Sequence, residues 1–167
     1  MVLDLKRDKK LHVNQLKDGS VERFSFVISQ EAWNLKLLAS DVAVSLMVVK
    51  RGTRVHVKGR MKFKLQLECY RCGEPFTTEN EESFDLFFFV EHPSFYGRSR
   101  ELTMEDFRVL PYNGEEIDLW QVLRETIILA IPTKPLCKPD CKGLCPICGA
   151  NWNRTTCEHQ RSSTAEQ

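Results

Sequence analysis

The chain has 167 residues, 42% of them hydrophobic and 28% charged, with a formal net charge of +1 and seven cysteines. That length suits one domain with an appendage, or two small ones, and no apolar run approaches the roughly 18–20 residues of a membrane helix. The start, Met1-Val-Leu-Asp-Leu-Lys-Arg-Asp-Lys-Lys, has no apolar core region and does not read as a signal peptide.

Strands dominate the first two thirds. Ser20–Ser29 mixes Val21, Phe24, Phe26 and Val27 with polar residues and reads as a strand. Val42–Lys50 is β-branched and apolar, and Arg51-Gly52 ends it. From Arg54 the alternation is strict: Arg54, His56, Lys58, Arg60, Lys62 and Lys64 share one parity, and Val55, Val57, Gly59, Met61, Phe63, Leu65 and Leu67 the other. Period two sends the first set to one sheet face and the second to the core. Gly59 within such a strand predicts a bulge or bend. Thr77–Val90 is a further strand, with Phe87, Phe88 and Phe89 expected in the core. His92–Arg100, with Pro93 and Gly97, reads as a mobile loop. A helix then starts at Asp118, with Gln121 three residues on as in a capping box. Leu119, Val122, Leu123, Thr126, Ile127 and Ala130 follow at helical spacing, Trp120 is expected in the core, and Pro132 ends the helix. Ser162–Gln167 is a polar tail.

Charge is segregated along this order. Val42–Leu67 holds seven Lys or Arg and no acid, whereas Glu79–Asp118 holds eleven acids against Arg98, Arg100 and Arg108. Basic residues on alternate positions of a strand lie about 6.5–7 Å apart, comparable to phosphates of extended nucleic acid. The stripe Arg54, Lys58, Arg60, Lys62 and Lys64 therefore reads either as a phosphate-binding surface or as an ordinary solvated face.

The cysteines carry the chemistry. Cys69-Tyr-Arg-Cys72-Gly73 and Cys145-Pro-Ile-Cys148-Gly149 are two knuckles, joined by Cys137, Cys141, Cys157 and His159. In such a knuckle one thiolate binds, the chain reverses on a glycine that tolerates positive φ, and the second thiolate binds the same ion. Seven thiols and one imidazole complete two tetrahedral zinc sites. A disulfide framework is disfavoured by the uneven count and the missing signal sequence. A redox pair would need a thiol at a helix N-terminus after a strand; an iron–sulfur cluster stays open on thiols alone. Two groupings compete. Loop closure favours Cys145, Cys148, Cys157 and His159 on one ion, leaving Cys69 and Cys72 to meet Cys137 and Cys141. The rival joins the two knuckles as in a zinc ribbon. Tyr70 and Arg71 project from the first knuckle, where they would contact RNA or pack on the neighbouring knuckle; Asn151 and Asn153 are expected to hold the second by side-chain to backbone bonds.

The ordered set Leu67-Glu-Cys69-Tyr-Arg-Cys72, Glu116-Ile-Asp118-Leu, Ile128-Leu-Ala-Ile-Pro132 and Cys137-x-x-x-Cys141-Lys-Gly-Leu-Cys145-Pro-x-Cys148-Gly-x-Asn151-x-Asn153 resembles the YceD-type family, named for large ribosomal RNA subunit accumulation. The likeness runs from about Val42 to His159; the family pattern is expected to close with Cys-x-Cys, where this chain has Cys157-Glu-His159. The resemblance implies a bacterial or organellar protein that supports accumulation of 23S ribosomal RNA and large-subunit assembly.

Together these readings predict an α+β protein, mainly an antiparallel sheet or partial barrel with one main helix and a C-terminal zinc-binding module. The β-rich domain is expected over residues 1–132, the Cys-rich module stapled to it over 133–160, and a disordered tail over 161–167. No nucleophile, base and orienting group come together in the sequence, so the protein is expected to be a non-enzymatic, cytoplasmic assembly factor. Its expected partners are 23S ribosomal RNA or a large-subunit assembly intermediate, or a ribosomal protein, and no membrane. Arg54, Lys58, Arg60, Lys62, Lys64 and Arg71 are the expected RNA contacts. A redox-responsive protein-interaction module is the alternative.

Overall fold

The computed structural model describes residues 10–90 and 109–161; the loop expected over 92–100 and the tail over 162–167 lie outside the described residues. In chain order the elements are β1 (Lys10–His12), β2 (Val21–Ile28), β3 (Val42–Arg51), β4 (Arg54–Glu68), β5 (Pro75–Val90), β6 (Val109–Tyr112), β7 (Glu116–Asp118) and α1 (Leu119–Leu129). Five strands form one sheet in the order β2-β3-β4-β5-β6. Every pair in it is antiparallel except β5–β6, which is parallel, while β1 and β7 pair as a separate antiparallel ribbon. The expected mainly antiparallel α+β architecture is the one observed.

The long strand β4 shows why. Its apolar parity, Val55, Val57, Met61, Phe63, Leu65 and Leu67, is buried, and its basic parity faces outward. Burying each of these large side chains contributes about 1.5–3 kcal/mol, so a slip of one residue would forfeit the whole set. Val42, Val44, Leu46 and Val48 of β3 extend the same buried face. Over it lie Leu11 of β1, Ile117 of β7, and Leu119, Leu123 and Ile127 of α1. Trp33 is buried at 1% exposure and stacks on Trp120 of the helix, ring centroids 4.3 Å apart. The Asp118 carboxylate accepts from the Gln121 backbone N–H at 3.3 Å, the expected cap. The Gln121 side chain bonds Glu125 instead of reaching back, so the capping box is half made.

Two expectations fail for identifiable reasons. Gly59 makes no bulge: the register runs unbroken from Leu46 through Gly59 to Phe84. A Cβ at Gly59 would stand 2.1 Å from Phe84 Cζ, so the glycine makes room for the ring of the neighbouring strand. Phe88 is buried, but Phe87 points the other way and is 45% exposed. It stacks on His56 with centroids 4.3 Å apart, because adjacent strand residues cannot share a face.

Candidate metal centres and the charged sheet face

Strands β4 and β5 are joined by the turn that carries the first knuckle, so their register fixes Cys69 and Cys72 at one end of the sheet. Gly73 takes φ 69° and Gly149 φ 72°, the reversal each knuckle requires. After α1 ends, the chain returns to this place, where the Tyr70 backbone N–H donates to the Pro135 carbonyl at 2.7 Å. Cys69, Cys72, Cys137 and Cys141 then converge, as do Cys145, Cys148, Cys157 and His159; within each group the ligand atoms lie within 4.8 Å of one another. The rival grouping of knuckle with knuckle does not occur. The sulfurs of Cys69 and Cys141 are 3.6 Å apart and those of Cys72 and Cys137 3.8 Å, and all seven cysteines are unbonded. Tetrahedral ligands about 2.3 Å from one ion stand about 3.8 Å from each other. Nδ1 of His159 is buried with no hydrogen-bond partner, as suits a nitrogen kept for a metal. Both groups could hold a metal ion.

The backbone prepares the thiols unequally. Burial opposes the Cys69 thiolate, but backbone N–H groups of Cys137, Cys72 and Arg71 outweigh it and hold Cys69 down to about 6. Burial, reinforced by the neighbouring sulfurs, pushes Cys137 up to about 12. In the second group the Cys148 backbone N–H leads in holding Cys145 down to about 6, against burial. Cys148 itself is raised: the Ala150 backbone N–H favours its thiolate, but Cys145 and burial outweigh that. Each group therefore contains one thiol that ionises well before the raised thiols beside it, Cys69 before Cys72 and Cys137, and Cys145 before Cys148.

The surrounding residues divide sharply. Arg71, expected on RNA, donates from its guanidinium to the Cys141 carbonyl at 2.8 Å and so fastens one half of the first group to the other. Tyr70 is 66% exposed, with the Lys134 ammonium 5.5 Å from its ring centroid, so it does not pack on the second knuckle. Asn153 accepts from the Lys142 backbone N–H at 3.0 Å, the expected brace. Two interactions have no counterpart among the sequence expectations: Trp152 Nε1 donates to Cys157 Sγ at 3.2 Å, and Asn153 Nδ2 donates to Cys141 Sγ at 3.3 Å. The signal for them is two side-chain amides flanking an indole N–H, all donors, beside a thiol-rich segment.

The basic stripe lies on the outer face, as its parity requires, but it is not bare. Lys58 is 3.9 Å from Asp85, Arg60 and Lys62 are each 3.2 Å from Glu81, and Lys64 is 2.7 Å from Glu79. His56 is 2.5 Å from Asp85. Hydrogen bonding and charge from Lys64 hold the Glu79 carboxyl below the usual range. Among the described residues Arg54 alone of the stripe has no such partner. Exposed pairs of this kind contribute about 0–1 kcal/mol each and screen readily. The stripe is thus a cross-strand ladder of alternating sign.

Comparison with known proteins identifies a family. Residues 57–166 match the profile of the family described as large ribosomal RNA subunit accumulation protein YceD. A maize protein named large ribosomal RNA subunit accumulation protein YCED homolog 1, chloroplastic, is 33% identical over 139 residues, covering 70% of this chain and 47% of the relative. The Arabidopsis thaliana protein of the same name is 28% identical over 140 residues, covering 71% and 44%. An uncharacterised Mycobacterium tuberculosis protein is 30% identical over 119 residues, covering 69% and 55%. The chain spans about half the length of these curated relatives. No solved structure matches it. On a family match that covers both metal-ligand groups and most of the sheet's two longest strands, the chain belongs to the YceD family of large ribosomal RNA subunit accumulation proteins.

Proposed function

We propose that this protein is a non-enzymatic, zinc-binding ribosome-assembly factor that supports accumulation of 23S ribosomal RNA by binding that RNA or a large-subunit assembly intermediate. The observation that carries the reading is the pairing of family membership with two complete four-ligand groups. Zinc suits donor sets of four thiolates, and of three thiolates and one imidazole, at tetrahedral spacing. Four protein donors at each ion leave no open position for a reacting water, which favours a structural role over a catalytic one. The first ion, on Cys69, Cys72, Cys137 and Cys141, would staple the module of residues 133–160 to the β-rich domain of 1–132. The second, on Cys145, Cys148, Cys157 and His159, would close the module on itself.

RNA contact is assigned to Arg54, Lys58, Arg60, Lys62 and Lys64 on the sheet, and to Arg71 at the knuckle. Phosphate would compete with Glu79, Glu81 and Asp85 for the stripe, so binding should be weak at high salt and positioning, not sequence-reading. The plant relatives are named as chloroplastic, and we assign this chain to the cytoplasm of a bacterium or the equivalent organellar compartment. Among the described residues no helix is long and apolar enough to cross a membrane. Crosslinking in cells, with sequencing of the bound RNA, tests the proposal. Enrichment of 23S segments is expected; recovery of a ribosomal protein without RNA would replace RNA binding by protein docking. The exposure of Cys148 favours one second reading, a redox-responsive protein-interaction module. Zinc retained through mild peroxide treatment would count against it.

A further inference from the structure

One turn touches both metal centres. Trp152 donates its indole N–H to Cys157 Sγ of the second group at 3.2 Å, and the next residue, Asn153, donates its amide N–H to Cys141 Sγ of the first at 3.3 Å. Neither donor is loose. The Trp152 backbone N–H bonds the Gly143 carbonyl at 3.0 Å, between the two groups. The Asn153 side chain is fixed by its oxygen, which accepts from the Lys142 backbone N–H at 3.0 Å, and by a further bond from its nitrogen to Asn151 Oδ1 at 2.9 Å. Those partners leave the amide only one orientation, with nitrogen toward the sulfur.

We propose that Asn151-Trp152-Asn153 couples the two centres so that they load cooperatively, with Asn153 as the positioning residue. This rests on the metal-binding reading above. An N–H aimed at a ligand sulfur fixes where that sulfur sits and so orients it toward the other ligands of its group. Asn153 reaches Cys141 only when its own turn is ordered, and Trp152 in that same turn is tied to Cys157 of the second group, so closing that group helps to hold the turn. Closure of the second centre therefore prepares the first. By the same linkage, an ion in the first centre fixes Cys141 and Asn153 and so favours the second, by an equal factor. Two further links run in parallel: the Leu144 backbone N–H donates to the Arg71 carbonyl at 3.2 Å, and Glu74 accepts from Asn151 at 3.4 Å and from Arg154 at 3.1 Å.

The test is a Co²⁺ titration of the metal-stripped full chain, followed by sulfur-to-cobalt charge-transfer absorption and by the ligand-field bands that distinguish four-thiolate from three-thiolate sites. Cys148→Ser disables the second centre through an exposed ligand; Asn153→Ala removes no ligand at all. Disabling the second centre should weaken the first about 10-fold or more, the range typical of partners that orient metal ligands. Asn153→Ala should weaken both centres, and the double variant should be little worse than Cys148→Ser, the sign of a shared route. Equal affinity of the first centre in wild type and Cys148→Ser, or additive effects in the double variant, would overturn the coupling while leaving two real, independent sites. Failure of the wild-type chain to take up any Co²⁺ would instead overturn the metal reading, and the coupling with it.

Discussion

Cys69→Ser removes one of four ligands from the site that joins the sheet to the C-terminal segment. A few hydrogen bonds would remain to hold that segment. Tyr70 to Pro135 at 2.7 Å, Arg71 to Cys141 at 2.8 Å, Leu144 to Arg71 at 3.2 Å, and the bonds of Asn151 and Arg154 to Glu74 at 3.4 and 3.1 Å span the junction. At about 1 kcal/mol net each these contribute about 5 kcal/mol. Ordering the backbone from Cys137 to Arg161 costs about 1–2 kcal/mol per residue, several times that sum. An ion worth about 10–16 kcal/mol, as in zinc-finger peptides, would contribute more than all of those bonds together. The sheet has its own buried face, with Val55, Val57, Met61 and Leu65 at 0% exposure, and does not depend on the ion. Hydrogen exchange on Cys69→Ser should therefore show the segment from about Leu136 freed from the sheet, with the Leu144 and Cys141 amides exchanging faster and β3 and β4 still protected. The Cys145 and Gly149 amides, bonded within their own knuckle at 2.8 and 2.9 Å, should lose much less. Unchanged protection at Leu144 would refute the staple; loss of protection throughout β3 and β4 would refute the independence of the sheet.

Three other outcomes follow from the same geometry. Metal binding near pH 7.5 should release a proton from each of Cys72, Cys137 and Cys148, whose thiols are raised, while Cys69 and Cys145 enter already ionised. Affinity should therefore already fall as pH drops through 7.5, and fall more steeply below about 6, where Cys69 and Cys145 also become protonated, measurable by calorimetry in buffers of different ionisation heat. Replacing Arg54, Lys58, Arg60, Lys62 and Lys64 with Gln should lower affinity for 23S fragments and flatten its salt dependence by about 0.7–0.9 in log–log slope for each phosphate left unneutralised, whereas Glu79→Gln with Glu81→Gln should raise affinity; unchanged binding in both would leave the ladder a solvated face. Gly59→Ala should destabilise the domain by about 1–3 kcal/mol, because its Cβ would meet the Phe84 ring at 2.1 Å; an unchanged urea midpoint would show that the ring yields freely.

The features legible in the sequence are those written in one local period. The alternation of β4, the Asp118 cap and the reversal at each knuckle all depend on neighbours within a few residues. The grouping of ligands into two sets also follows from short-range reasoning, since closing Cys145 to His159 is the cheaper loop. What the sequence hides is set by register between distant segments. The acids on β5 are visible as a run, but only the pairing of Lys58 with Asp85 and Lys64 with Glu79 turns two runs into a ladder. Gly59 suggests a bulge because the reason for it lies in Phe84, on the next strand. The ribbon of β1 with β7 consists of strands too short to show a period, and the parallel pairing of β6 follows a segment outside the described residues. Arg71 looks like a free cation in the sequence; its partner is a carbonyl seventy residues away.

The central claim is that two ions, not one, hold the C-terminal segment together and to the sheet. Native mass spectrometry of the chain as purified, without added metal, counts them directly. A mass increment of about two zinc ions per chain is expected, matching eight ligands grouped in fours. Loss of one ion in Cys69→Ser and of the other in Cys157→Ser is the matching prediction for the variants. One ion in the wild-type chain would dissolve the second centre, and a chain that carries none would contradict the zinc-held architecture at its base.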